Sequence, residues 1–207
     1  MTSLTLSSAP AAQPVSDAVV WSHLNVALSG SPEAPANETL IAAYRNAAVA
    51  HLDGASGILG RALITQTWEL RLCDFPRCPD PIHGDYRIII PLPPLQSISS
   101  IAYVDPDGAT QTLVSSKYTT VAGGSQKAAV VPAYGESWPS TRDVPDAVTV
   151  TFVAGYGGTE SDVPASIKSA ILLMVGDLYD HREAQSVGYE IHRNPAVEAL
   201  LAPYEVR

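Results

Sequence analysis

The sequence predicts an α+β chain, a mainly helical core of about three to four helices with a β-rich stretch at about 61–154 between the second and third of them. Three observations support this. Apolar residues recur at helical spacing before residue 54 and after residue 164, whereas they alternate at a period of two between those limits. The alternating stretch is also cut by Gly, Pro and Asp residues at turn spacing.

Residues 1–14 are small, polar and proline-bearing, and predict a flexible N-terminal arm. A single domain is expected over 15–201, followed by a short tail, 202–207. Ser16 or Asp17 can cap a first helix over about 16–28, with Val19, Val20, Leu24 and Leu28 on one side. SGSPEAPA (29–36) is a loop, and Asn37 is placed to cap a second helix over about 38–54. Leu40, Ile41, Tyr44, Ala47, Ala48, His51 and Leu52 form its apolar side, and its many alanines permit close helix approach.

RALITQTWELRL (61–72) alternates as a half-buried strand does, with Ile64, Trp68, Leu70 and Leu72 on the apolar side. Further strands are predicted at Tyr86–Ile90, Ser97–Val104, Thr110–Val114, Tyr118–Val121, Ala128–Val131 and Ala147–Ala154. VDPDGA (104–109) is a turn between two of them. A third helix over about 164–182 begins with Pro164 in its first turn and is apolar on most sides, so it is expected to be buried on most sides. Residues 184–194 read as a loop, and Pro195–Leu201 as a last helical turn.

Composition narrows the function. The chain has 207 residues, 46% hydrophobic and 16% charged, with a formal net charge of −9. Its 12 Lys and Arg are scattered singly, so the basic footprint that holds a phosphate backbone is missing. No apolar run approaches the ~20 residues that span a bilayer. MTSLTLSSAPAAQPVS lacks the basic start and continuous apolar stretch of a signal peptide, and two cysteines make no disulfide framework. A cytoplasmic origin is the expectation from these features.

No catalytic, cofactor-binding or metal site is expected. VTVTFVAGYGG (148–158) followed by a helix has the order of a phosphate cradle. However, Thr159-Glu160-Ser161-Asp162 stands where Lys-Ser/Thr would be required, and its carboxylates repel phosphate. The glycines then serve a corner between a strand and a helix. Cys73, Cys78 and His83 offer soft ligands, but their spacing is loose for zinc and no fourth ligand is evident. His181, Glu183 and His192 lie near a helix C-terminus, where the helix dipole alone favours histidine.

Six segments taken together go further: HLNV (23–26), GRALITQTWELRL (60–72), IPLPPLQSISSIAYVDPDGATQTL (90–113), VTVTFVAGYGG (148–158), VPASIKSAILLMVGDLYDHRE (163–183) and LLAPYEVR (200–207). In this order they resemble the head–tail connector, or adaptor, family of tailed phages and phage-like gene transfer agents, over most of the chain from about residue 15. PRCPDPIHGDY (76–86) looks like an enlarged strand connection for that family, and SGSPEAPA is a long link.

The resemblance implies a helical core carrying a β-rich insertion, in a closed ring of twelve subunits stacked under the portal. Such a ring joins the capsid to the tail and surrounds a channel through which DNA passes without specific binding. The implied partners are further copies of the chain, the portal protein, and tail or stopper proteins, with no membrane. The implied location is the virion neck, after synthesis in the bacterial host cytoplasm. Portal binding carries over to Leu201, Ala202, Pro203, Tyr204, Glu205, Val206 and Arg207. Ile167, Ile171, Met174 and Leu178 of the third helix are expected to pack between subunits. The alternatives are a head-completion stopper or other neck protein and, from a different class, a small metal-binding or hydrolytic domain built on Cys73, Cys78 and His83.

Overall fold

The computed structural model describes residues 2–26, 34–121, 123–124, 126–181 and 194–206, with the backbone alone at 34–36. It is α+β, with four helices and two antiparallel sheets of substantial size among the described residues. The chain divides into two compact units. One comprises Met1–Ala11, Thr65–Tyr156 and Val206–Arg207, the other Ala12–Ile64 and Gly157–Glu205. The helices flanking the β-rich stretch pack with one another.

The first unit is built on strands β1 (Thr2–Ser8), β2 (Gln66–Leu72), β3 (Ile88–Ile90), β4 (Leu95–Val104), β5 (Thr110–Thr112), β6 (Tyr118–Val121), β7 (Ala128–Pro132) and β8 (Val148–Ala154). Five of them form a sheet in the order β1-β2-β8-β4-β5, and three form a second sheet, β3-β7-β6. Every pairing is antiparallel. The alternation in β8 is strict: Val148, Val150, Phe152 and Ala154 are buried, and the residues between them are half-buried.

Register extends that alternation across the large sheet. Leu4, Leu70, Val150 and Ile101 lie in one row, and Leu6, Trp68, Phe152 and Ile98 in the next. The opposite face carries Ser3, Arg71, Thr149, Ala102 and Thr112. A slip of one residue would exchange these faces, so the apolar rows fix the register. Burial of a side chain such as Phe152 contributes about 1.5–3 kcal/mol.

Residues 2–8, expected within a flexible arm, instead form β1 along β2. Composition predicts mobility for so polar a segment. Leu4 and Leu6, spaced by two, place it on the sheet, and the backbone hydrogen bonds to β2 complete the pairing.

The second unit contains α1 (Asp17–His23), α2 (Ala34–Leu52), α3 (Ala165–Asp180) and α4 (Pro195–Leu201). Helix α1 is shorter than predicted, because Asn25 adopts φ 49° and turns the chain out of the helix. Helix α2 opens earlier than predicted, with Pro35 in the first turn, where a missing N–H removes no helical bond. Ile41, Arg45, Ala48 and Leu52 form its buried stripe. Helix α3 packs against α1, α2 and α4 and buries Ile167, Ala170, Ile171 and Val175. Most of the predicted loop at 184–194, the ends of the first and third helices at 27–28 and 182, and Glu183, His192 and Arg207 lie outside the described residues.

Candidate functional site

The C-terminal segment is held by a buried arginine. After α2, the chain HLDGASGILGR folds back on itself in short steps. The Ile58 N–H donates to the His51 carbonyl at 2.9 Å, the Gly54 N–H donates to the Arg61 carbonyl at 2.9 Å, and Asp53 Oδ1 accepts from the Leu63 N–H at 2.7 Å. Gly54 and Gly60 have φ of 76° and 61°, a region that L side chains rarely adopt. This loop places Arg61, only 1% exposed, among Leu59, Ala62, Leu63 and Ile64. Its Nε donates to the Tyr204 carbonyl at 2.6 Å, and its guanidinium carbon lies 5.9 Å from the centre of the Tyr204 ring.

The segment that Arg61 holds is itself well built. Asn194 caps α4 by accepting from the Ala196 N–H at 3.1 Å, with Pro195 at the helix start. Leu201 is 2% exposed, and Ala202–Tyr204 continue as a turn of 3-10 helix. Of the residues expected to bind the portal, Leu201 is therefore internal to the chain. Ala202, Pro203 and Glu205 are exposed, and Tyr204 and Val206 half-buried. The segment expected as a short tail is, at Ala202–Tyr204, a turn docked on Arg61. The sequence offered a signal for this: a lone charge among the apolar residues of ILGRALI.

Beside this turn lies a groove of 460 Å³ with an apolar floor of Ile58, Leu173, Met174, Val197 and Leu201. His51, Asp177, Glu198 and Glu205 also line it, so its polar lining is largely acidic. The third-helix residues expected to pack between subunits divide into two pairs. Ile167 and Ile171 are fully buried within the chain and cannot face a neighbouring subunit. They sit on the stripe that α3 turns inward. Met174 lines the groove, and Leu178 is 36% exposed, so these two remain available.

In the other unit, the segment around Cys73, Cys78 and His83 closes on itself. Asp80 Oδ1 accepts from the Ile82 and His83 N–H groups at 2.9 Å and lies 2.8 Å from His83 Nδ1. The hydrogen bond from the His83 side chain, with those backbone bonds, holds the Asp80 carboxyl below its ordinary range. Arg87 grips Asp85 with two bonds of 2.5 Å. Cys73 is half-buried and Cys78 exposed, and the two are not joined in a disulfide. Among the described residues no three His, Cys, Asp or Glu side chains group to hold a metal. Phe75 stacks on Trp138 at 4.9 Å and meets Tyr103 edge-on at 5.7 Å, an aromatic cluster that packs this end of the strands.

The glycine corner is occupied by protein groups. The Gly155 N–H, at φ 131°, donates to the Pro94 carbonyl, and the Gly155 carbonyl accepts from Gln96. A Cβ on Gly157 would stand 2.3 Å from Asp162. Asp162 accepts from the Thr159 N–H at 2.9 Å and from its hydroxyl at 2.8 Å. A carboxylate thus stands against the turn where a phosphate would have to enter.

No known family model matches the sequence, and no curated protein matches it. Solved structures do share the fold. A chain in the neck of an empty GTA particle, computed with C6 symmetry, superposes with a TM-score of 0.76 at 20% identity, covering 99% of this chain and 96% of that one. A chain of the virion of a native gene transfer agent (GTA) particle gives 0.74 at 21% identity, with 99% and 95% covered. A chain in the neck of a native GTA particle, computed with C12 symmetry, gives 0.61 at 19%, with 85% and 88% covered. Nearly end to end, the chain has the fold of proteins found in gene transfer agent particles and their necks, consistent with the head–tail connector resemblance in its sequence.

Proposed function

We propose that this chain is a non-enzymatic virion protein of the neck, forming a ring adaptor that joins the portal to the tail and surrounds the DNA exit channel. The observation that carries the proposal is the near-complete match, over 99% of the chain, to a chain of a gene transfer agent neck. That neck and a second one were computed with C6 and C12 symmetry, which supports a ring, taken here as a dodecamer. In this reading the α-helical unit is the assembling core, and the strands between α2 and α3 are the insertion it carries.

The docked turn at Ala202–Tyr204, with Glu205, Val206 and Arg207, is the portal-facing element, and the groove beside it receives part of the partner. Met174 and Leu178 are the α3 residues offered to a neighbouring subunit. The net charge of −9 suits a channel that must release DNA. The test is particle morphology. Particles assembled without this protein should show heads with no attached tails in negative stain. A normal proportion of tailed particles would overturn the proposal.

A further inference from the structure

The two outer strands of the large sheet carry neither of the side-chain devices, charge and proline, that keep edges apart, although β5 spans three residues and β1 shifts register between Leu6 and Ser8. Edge strands are usually protected by charges, prolines, bulges or extreme shortness, because their unpaired N–H and C=O groups template the pairing of another chain. β1 occupies one end of the sheet and β5 the other. β1 reads TSLTLSS and the segment continuing β5 reads TQTLV. Neither contains a charge or a proline. Along β1 every side chain but Leu4 is exposed, including Leu6 at 42%. All three residues of β5 are exposed, and Val114, still extended, is 60% exposed.

The two edges also match in chemistry. The apolar face that carries Leu4 and Leu6 reaches β5 at Gln111, since Thr2, Leu72, Val148, Tyr103 and Gln111 share one row. Two residues further on, Leu113 lies on that same face. The polar face carries Ser3 and Thr5 at one end and Thr110 and Thr112 at the other. Four antiparallel steps separate β1 from β5, so the two strands point the same way. A second copy turned by a small rotation would therefore present its β5 parallel to the first copy's β1. Such a contact joins two different surfaces and closes only as a ring.

We infer that β1 of one subunit pairs with β5 of the next, extending the large sheet from copy to copy. This rests on the ring reading above and adds to it the surface through which the copies meet. Apolar would meet apolar across the seam, with Leu4 and Leu6 beside Leu113, and Ser and Thr would meet Thr on the other face.

The test is cysteine cross-linking in a chain whose own thiols are removed by Cys73→Ser and Cys78→Ser. Ser3→Cys and Thr5→Cys are each combined with Thr112→Cys, and the particles and the purified chain are oxidised. Adjacent strands bring Cα atoms within the ~4.4–6.8 Å that a disulfide needs. At least one double variant should give a ladder of covalent multimers, while each single variant stays monomeric. Monomers from both double variants in normally tailed particles would overturn the pairing. Covalent dimers from Ser3→Cys or Thr5→Cys alone would overturn it too, since they indicate a two-fold β1–β1 contact. A ladder in the purified chain, with the chain absent from the necks of particles, would overturn the neck reading and leave the edge pairing standing.

Discussion

Arg61 gives the sharpest test of how the C-terminal turn is held. Arg61→Met keeps the length of the side chain and removes its charge and donors. The Tyr204 carbonyl then loses its 2.6 Å charge-assisted bond, worth about 1.5–3 kcal/mol. The contact with the Tyr204 ring at 5.9 Å adds about 0.5–1 kcal/mol. The summed loss is roughly 2–4 kcal/mol, or about 4–16 °C of melting temperature for a chain of this size. Tyr204→Ala removes only the ring contact and its packing, because the carbonyl stays, and should cost clearly less. Thermal melts by circular dichroism measure both, and timed carboxypeptidase digestion reports whether the turn has come loose. If Arg61→Met melts within about 1 °C of the parent, or if Tyr204→Ala costs more, the carbonyl bond does not hold the turn.

Four further outcomes follow from the same structure. Deleting Ala202–Arg207 should weaken portal binding in a pull-down and also lower the melting temperature, since the bond from Arg61 to the Tyr204 carbonyl is lost; unchanged stability would contradict the docked turn. Ile171→Ala should cost about 2–5 kcal/mol in urea titrations of the isolated chain, whereas Leu178→Lys should leave stability unchanged and reduce ring formation in sedimentation experiments. Gly157→Val should yield insoluble or unfolded protein, because its Cβ meets Asp162 at 2.3 Å; soluble, assembling protein would show that the turn yields easily. The backbone and side-chain hydrogen bonds from Thr159 hold the Asp162 carboxyl below its ordinary range, so their stabilisation is complete at neutral pH and is lost as pH falls below about 4. The gap in melting temperature between the parent and Asp162→Ala should therefore narrow from pH 7 to pH 3, and a constant gap would show that Asp162 is not the titrating group.

Much of the fold is legible in the sequence because periodicity is a local property. The alternation of VTVTFVA predicts β8 to within a residue, and the helical turn expected at Pro195–Leu201 is α4. What escaped has physical reasons. β1 has too few apolar residues to stand out, and its place is decided by a partner about seventy residues away, Thr2 opposite Leu72. The apolar face of α3 is visible, but sequence does not show which of its residues the chain itself covers, and Ile167 and Ile171 prove internal while Leu178 does not. Arg61 is conspicuous among apolar neighbours. Its role, however, depends on a carbonyl 143 positions away, which no window around it contains.

The passage of the chain between the two units has a consequence for how the protein is made. Neither unit is a contiguous piece: the sheet takes its first strand before residue 12 and the rest after residue 64. As the polypeptide leaves the ribosome, β1 emerges before β2 and lacks this partner until Gln66–Leu72 follow. Closing a loop of that length costs entropy that increases only slowly with its size, but contacts so distant in sequence slow folding. A serine- and threonine-rich strand suits such a wait, since it stays hydrated while unpaired. Swapping β1 for a more apolar strand should therefore lower the yield of soluble chain during synthesis even if it strengthens the finished sheet.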